Sequence, residues 1–301
     1  MIFAVAWAAP ARETCGTMSD DRAQRQRREI KYMLREEQAL AVRAYLSSYL
    51  EPDEFAAGKP DNSYQVHTLY LDSNELATYQ SATNGDRNRY KLRIRYYDDN
   101  PFSPVCFEIK RRINEAIVKQ RARVKREAVR ALLYGESPRP GFLHSFKPQE
   151  WSDLLDFWQL VERLQAAPRA HNAYLREAYL NQPEASVRVT LDRYIRMGPE
   201  FSWDLGTDMA DGIEVFSGFV VLELKFTERM PTWMIDMVRG FEIKSSGAAK
   251  YVQGVDLLGR AKVARRLTGF EWGSAVVSTA TSAPWLDASA AVRGALGPNR
   301  K

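Results

Sequence analysis

The segment Arg89-Tyr90-Lys91-Leu92-Arg93-Ile94-Arg95-Tyr96 alternates strictly between basic and apolar or aromatic positions. Successive side chains of a strand point to opposite faces. The segment therefore predicts a strand with four cations on one side and Tyr90, Leu92, Ile94 and Tyr96 on the other. The same two-residue period recurs along the chain. Glu29 and Lys31 oppose Ile30 and Tyr32, and Cys106, Glu108 and Lys110 oppose Val105, Phe107 and Ile109. Lys119, Arg121 and Arg123 oppose Val118 and Ala122. Further on, Arg188, Thr190 and Asp192 oppose Val187, Val189 and Leu191, while Glu223 and Lys225 oppose Leu222, Leu224 and Phe226.

Helical spacing of Ala39, Val42, Leu46 and Leu50 predicts an amphipathic helix over 37–49. Similar patterns predict helices over 126–134, 148–166 and 231–239, the last with Pro231 in its first turn. Asp72, Ser73 or Asn74 is expected to cap a short helix through Tyr79. Segments 105–111 and 116–124 read as a hairpin around Ile113-Asn114-Glu115, and 173–180 pairs with 186–197. The count is about eight strands with four or five helices, joined mostly by hairpins, so the class is α+β with a largely antiparallel sheet. Residues 1–25 read as a flexible N-terminus. Residues 263–301, rich in Ala, Ser, Thr and Gly, read as a disordered tail on which Trp272 and Trp285 could still dock.

A sheet with one solvated face also alternates polar with apolar positions. Such faces usually mix small polar groups with both charge signs, and rows of like charge across neighbouring strands are destabilising. Here the faces are mostly Lys and Arg with a few acids among them, which calls for a polyanion or counterions between them. A barrel with a basic lumen meets that need better than an open solvated sheet. The net charge of +5 and pI of about 9.1 fit an anionic ligand without naming it.

Other chemistry is missing from the sequence. There is no GxxxxGK[ST] phosphate loop, no GxGxxG after a strand and no GxSxG elbow. His67, His144 and His171 match no zinc spacing. Cys15 and Cys106 form no disulfide framework, so a reducing, cytoplasmic setting is the expectation. No apolar run is long enough to span a bilayer, although the apolar stretch Met1–Pro10 leaves an export signal or anchor open.

An ordered series of motifs resembles the VTC-type polyphosphate polymerase domain of the triphosphate tunnel metalloenzyme (CYTH-like) superfamily. The series runs Glu29-Ile30-Lys31-Tyr32, Tyr70-Leu71-Asp72, Lys91-Leu92-Arg93-Ile94-Arg95-Tyr96 and Glu108-Ile109-Lys110-Arg111. It continues through Val118-Lys119-Gln120-Arg121, Tyr174-Leu175-Arg176-Glu177, Val187-Arg188-Val189-Thr190-Leu191-Asp192, Leu222-Glu223-Leu224-Lys225-Phe226 and Ala249-Lys250-Tyr251-Val252. The resemblance covers roughly 28–259. It implies an eight-stranded antiparallel barrel with flanking helices, open as a tunnel. It also implies transfer of the ATP γ-phosphoryl group to a growing polyphosphate chain with Mn²⁺ or Mg²⁺. By motif position, Lys31, Arg93, Arg95, Lys110, Lys119, Arg176 and Lys250 should contact phosphates, and Glu223 should hold the metal. Arg121, Arg123, Arg188 and Lys225 either add to the lining or pair with acids, and Glu29 and Glu108 either supply those acids or assist the metal.

Two departures from the pattern matter. Related hydrolases and cyclases open with Glu-x-Glu-x-Lys, whereas this chain has Arg27-Arg28-Glu29-Ile30-Lys31, which favours the polymerase branch. The polymerase pattern often has Ser before the late Lys, where this chain has Ala249; Ser245 or Ser246 is a candidate substitute. Three readings stay open: polymerase, hydrolase of tripolyphosphate or nucleoside triphosphate, and non-catalytic polyphosphate binder. Nucleic acid is not an expected partner, because aromatics and cations fall on opposite faces of each strand.

Overall fold

The structure is a computed structural model and describes residues 27–264 apart from 115, 182–185 and 210. The segment 1–25 and nearly all of 263–301, including Trp272 and Trp285, lie outside the described residues. Strands β1 (Arg27–Leu34) and β2 (Glu51–Pro52) flank helix α1 (Glu36–Leu46). Then come β3 (Ser63–Asp72), α2 (Ala77–Thr83), β4 (Asn88–Tyr96), β5 (Val105–Ile113), β6 (Ala116–Val124) and α3 (Ala128–Leu133). The second half holds α4 (Pro148–Leu164), β7 (Ala167–Leu180), β8 (Val187–Pro199), β9 (Ile213–Glu214) and β10 (Val220–Thr227). It ends with α5 (Thr232–Gly240), α6 (Lys250–Leu258) and α7 (Arg260–Val263).

The expected antiparallel α+β class is present, but the closed eight-stranded barrel is not. Among the described residues the strands form one ten-stranded antiparallel sheet in the order β1-β10-β8-β7-β3-β4-β5-β6, with β2 beside β7 and β9 beside β8. Its two ends do not pair, because other elements occupy both edges. On β6 the Arg121 N–H donates to Asp153 of α4 at 2.9 Å, and the Arg123 N–H donates to Glu150 of α4 at 2.9 Å. On β1 the Lys31 carbonyl accepts the Ser246 N–H at 3.0 Å. Covered edges satisfy their backbone groups without a further strand. The sheet still curls far enough for Lys110 of β5 to reach Glu29 of β1 at 3.2 Å, so side chains rather than a ladder span the seam.

On the convex side, α1 and α5 cover β1, β10 and β8 through Leu34, Val42, Leu46, Leu222, Leu224, Met234 and Met237. On the concave side, α6 packs Tyr251, Val255 and Leu258 against Tyr70, Tyr174, Ile195 and Met197. A bulge makes this possible. Tyr194 takes φ +50 where the β7–β8 register shifts, so the face of β8 that carries Asp192 continues with apolar Ile195 and Met197. Gly254 allows the close approach, since a Cβ there would overlap the Met197 thioether.

The capping expectation at 72–74 is met in an altered form. The residue preceding α2 is Leu76, which has no side-chain cap. The carboxylate of Asp72 instead accepts the N–H groups of Thr78 and Tyr79 at 2.9 and 3.0 Å, satisfying donors of the first turn. It also accepts the Tyr251 hydroxyl at 2.8 Å, tying α2 to α6.

Candidate functional site

The charged faces meet on the concave side, and strand register sets them in rows. Lys91 stands opposite Lys110, which stands opposite Lys119. Arg93 faces Glu108, which faces Arg121. Lys31 faces Glu223, and Arg176 faces Asp192. Rows of cations repel, so the wall persists only because acids are interleaved and shared.

Glu108 has no exposed surface and serves four cations: Arg93 and Lys119 at 2.8 Å, Arg121 at 3.4 Å and Arg95 at 3.8 Å. Glu223 lies 2.8 Å from Lys225, 3.2 Å from Lys31, 3.6 Å from Lys250 and 3.8 Å from Arg176. Asp192 takes two bonds from Arg176, at 2.6 and 2.7 Å, and one from Lys250 at 2.6 Å. Glu29 holds Lys31 at 3.3 Å and Lys110 at 3.2 Å. Burial alone would raise all four carboxyl groups, but the surrounding cations overcome it. Glu108 and Glu223 sit well below the usual carboxylate range, and Glu29 is held at about 2 against both burial and the charge of Glu223.

The predicted Lys31, Arg93, Arg95, Lys110, Lys119, Arg176, Lys250, Arg121, Lys225, Glu29, Glu108 and Glu223 are thus brought together. Arg188 shares their face opposite Lys225 but binds Asp53 at 2.7 Å. Arg123 does not join them. Its guanidinium is forked onto Glu150 of α4, with contacts of 2.8 to 3.3 Å.

Three participants were not among the predicted site residues. Asp192 is the fully buried acid behind Arg176 and Lys250. Tyr174 places its ring 5.1 Å from the Arg176 guanidinium and 5.0 Å from the Lys250 ammonium. Lys91 has no acidic partner among the described residues and lies 5.8 Å from the Tyr251 ring. Burial, then Lys31, Lys110, Arg93 and Arg89, push its ammonium down to about 7. Burial likewise lowers Lys110 and Lys119 to about 8, against the pull of Glu29 and Glu108 respectively. The alternation that revealed Arg93 also carried Lys91 and Asp192, but it gave no sign of which positions would lack a counter-charge.

The wall also holds polar atoms without partners. Thr68 Oγ1, Arg95 Nε, Thr190 Oγ1 and Ser246 Oγ are buried and make no hydrogen bond among the described residues. Thr68 stands opposite Arg95 and Thr190 opposite Glu223, so these orphans lie on the cationic face. Buried polar atoms normally find partners, and several on one charged face suit a ligand rich in acceptors.

For a divalent cation, the donor set is two ionised carboxylates, Glu223 and Glu29, each within 3.3 Å of the Lys31 ammonium. Among the described residues no three acidic, His or Cys side chains cluster to form a closed metal cage. Oxygen donors of this number fit Mg²⁺ or Mn²⁺ that arrives with phosphate ligands of its own.

Residues 26–259 match the family model described as the VTC domain. No curated protein matches the chain. Among solved structures, it is similar to HpAC1 from Hippeastrum, named as an adenylyl cyclase and described as having a dominant triphosphatase activity. That match has 16% identity, covers 75% of this chain and 93% of that one, and has a TM-score of 0.43. It is also similar to the PH1819 protein from Pyrococcus horikoshii OT3, at 11% identity, with 75% of this chain and 97% of that one covered and a TM-score of 0.38. With its motif series in order and the family model matched from residue 26 to residue 259, the chain belongs to the VTC domain family.

Proposed function

We propose that this protein transfers the γ-phosphoryl group of ATP to the end of a polyphosphate chain held along the cationic wall. The observation that carries the reading is the convergence of cations from six strands and α6 on a face that also holds unpartnered buried donors. Phosphoryl transfer asks mainly for positioning and charge neutralisation, which such a wall supplies. Arg93, Arg95 and Arg176 present planar forks suited to phosphate oxygens, and Lys31, Lys110, Lys119 and Lys250 act as point charges. A terminal polyphosphate oxygen, already ionised, forms the new bond to the γ-phosphorus. The bond to the β–γ bridging oxygen breaks, and ADP leaves with that electron pair. No general base is needed for this step. Glu223, with Glu29 beside it, would hold a divalent cation that neutralises charge on the phosphoryl oxygens. Among the described residues Ser246 has an unpartnered Oγ, and its own N–H bonds the Lys31 carbonyl; in this reading it would supply the hydroxyl that Ala249 lacks.

The test is incubation with ATP and Mn²⁺, with products resolved by ³¹P NMR and with Glu223→Ala and Arg93→Ala/Arg95→Ala as controls. The expected result is a growing signal from internal chain phosphates that both controls lose. Orthophosphate without chains would make the protein a hydrolase, and unchanged ATP would make it a binder.

The lowered lysines give a second expectation. Interior groups of long-chain polyphosphate do not titrate near neutrality, but Lys91 and Lys119 do. Anion binding favours the charged ammonium, so protons are taken up on binding wherever the free lysines are neutral. Affinity should therefore fall as pH rises through about 7 to 8 and level off below. Calorimetry at pH 8 in buffers of different ionisation enthalpy should register the uptake, reduced in Lys91→Met. A binding enthalpy independent of buffer would contradict it.

A further inference from the structure

We infer that one mouth of the wall carries a nucleobase platform built from Phe55, Tyr97 and Tyr64. This deepens the ATP reading above and rests on it. The three rings form a cluster in which none is tightly packed: centroids are 6.5 Å apart for Phe55 and Tyr97, 6.3 Å for Phe55 and Tyr64, and 6.1 Å for Tyr64 and Tyr97. Contacting aromatic rings span about 4.5–7 Å, so all three pairs sit at the loose end. Phe55 is 60% exposed and Tyr97 40%, whereas Tyr64 beneath them is 8% exposed. Single exposed aromatics are ordinary on a protein surface. Two of them held parallel to within 1°, over a third that is buried, form an arranged surface.

The hydroxyl ends of the two tyrosines are held by the wall. Arg121 Nη2 lies 3.4 Å from the Tyr97 hydroxyl, and the same arginine is bound to Glu108. The Tyr64 hydroxyl donates to Asp53 at 3.3 Å and accepts from Arg188 at 3.4 Å. Tyr64 also stands opposite Arg176 in the β3–β7 ladder. The aromatic platform is therefore continuous with the arginines that would take phosphates. A flat π-system joined to a polyanion is the ligand that uses both parts, and a nucleoside triphosphate is such a molecule. Inorganic polyphosphate has no group for the platform.

Base stacking on such rings tolerates any base, since each offers a π-face. The platform thus sets which end of the donor enters. The base stays outside on Phe55 and Tyr97, and the triphosphate runs inward past Arg121 and Arg95. The site separates nucleotide from polymer by stacking, and it leaves the choice among bases weak.

The test compares two ligands, the β,γ-imido analogue of ATP and inorganic tripolyphosphate, both with Mg²⁺. Their affinities are measured by calorimetry on the full chain and on Phe55→Ala, Tyr97→Ala and Phe55→Trp, with circular dichroism confirming the fold. Loss of one stacked ring should weaken the imido analogue by about 5- to 100-fold. Tripolyphosphate affinity in Phe55→Ala should stay within about twofold, because an exposed ring away from the phosphates is removed. Phe55→Trp should restore or exceed wild-type affinity for the analogue. Equal losses for both ligands, or no loss for either, would overturn the platform. So would wild-type protein that binds tripolyphosphate but not the analogue. Wild-type protein that binds neither would overturn the phosphate reading itself, and the platform with it.

Discussion

Replacing Glu108 by glutamine is expected to cost about 3–5 kcal/mol of stability, the usual result of removing one partner from a buried ion cluster. Glutamine keeps the shape, so the loss isolates the charge. Arg93, Arg95, Lys119 and Arg121 would face one another with no acid between them. For a domain of this size the melting temperature should fall by roughly 6–20 °C. The sign of the pH dependence follows from the depressed carboxyl. Its contribution is complete above the unfolded value of 4.5 and is lost as pH falls toward the folded one. Melting curves of wild type and Glu108→Gln should therefore differ most near neutrality and converge in acid. Tripolyphosphate should rescue the variant more than it stabilises the wild type, because it replaces the missing negative charge. Superimposable curves at pH 7 would remove Glu108 from its place as organiser of the wall.

The double variant Arg93→Ala/Arg95→Ala should lose about 10²-fold or more in affinity for tripolyphosphate, since each hydrogen bond from a charged donor contributes about 1.5–3 kcal/mol. Both guanidiniums are largely buried, at 16% and 11% side-chain exposure, so solvent screens them little. Arg123→Ala is the matched control. It removes an arginine from the same sheet, but one already forked onto Glu150, and should change affinity by no more than about threefold. Comparable losses in the two variants would mean that affinity tracks net charge rather than position, and the wall would be a diffuse patch instead of a site.

The strand faces were legible in the sequence because a two-residue period states directly which side chains point together. That is why Arg93, Lys110 and Glu223, far apart in the chain, could be assigned to one lining. Closure was not legible. Whether β1 meets β6 depends on what occupies their edges, and the occupants are Asp153 and Glu150 on α4 and the backbone of Ser246, none of which shows in strand periodicity. The same edge capture explains Arg123, whose alternation was correct but whose terminal group was taken by an acid from a helix 27 positions later. Asp192 was read as part of a polar face, yet its weight comes from being sealed beneath α6. That packing depends on a bulge at Tyr194, which no alternating pattern announces. Phe55 lies outside every strand and helix that the periodicity predicts, so its pairing with Tyr97 required coordinates.

The cations of the wall come from β1, β4, β5, β6, β7, β10 and α6, and Glu108 and Glu223 are each shared across several of them. No short piece of the unfolded chain can assemble that arrangement, so the proposed polyanion would recognise only the finished fold. Mass action then links the two equilibria. At a free ligand level one hundred times its dissociation constant, the folded state gains about 2.7 kcal/mol. On the proposed reading, the melting point of the protein would become a gauge of the polyphosphate around it, readable without any turnover.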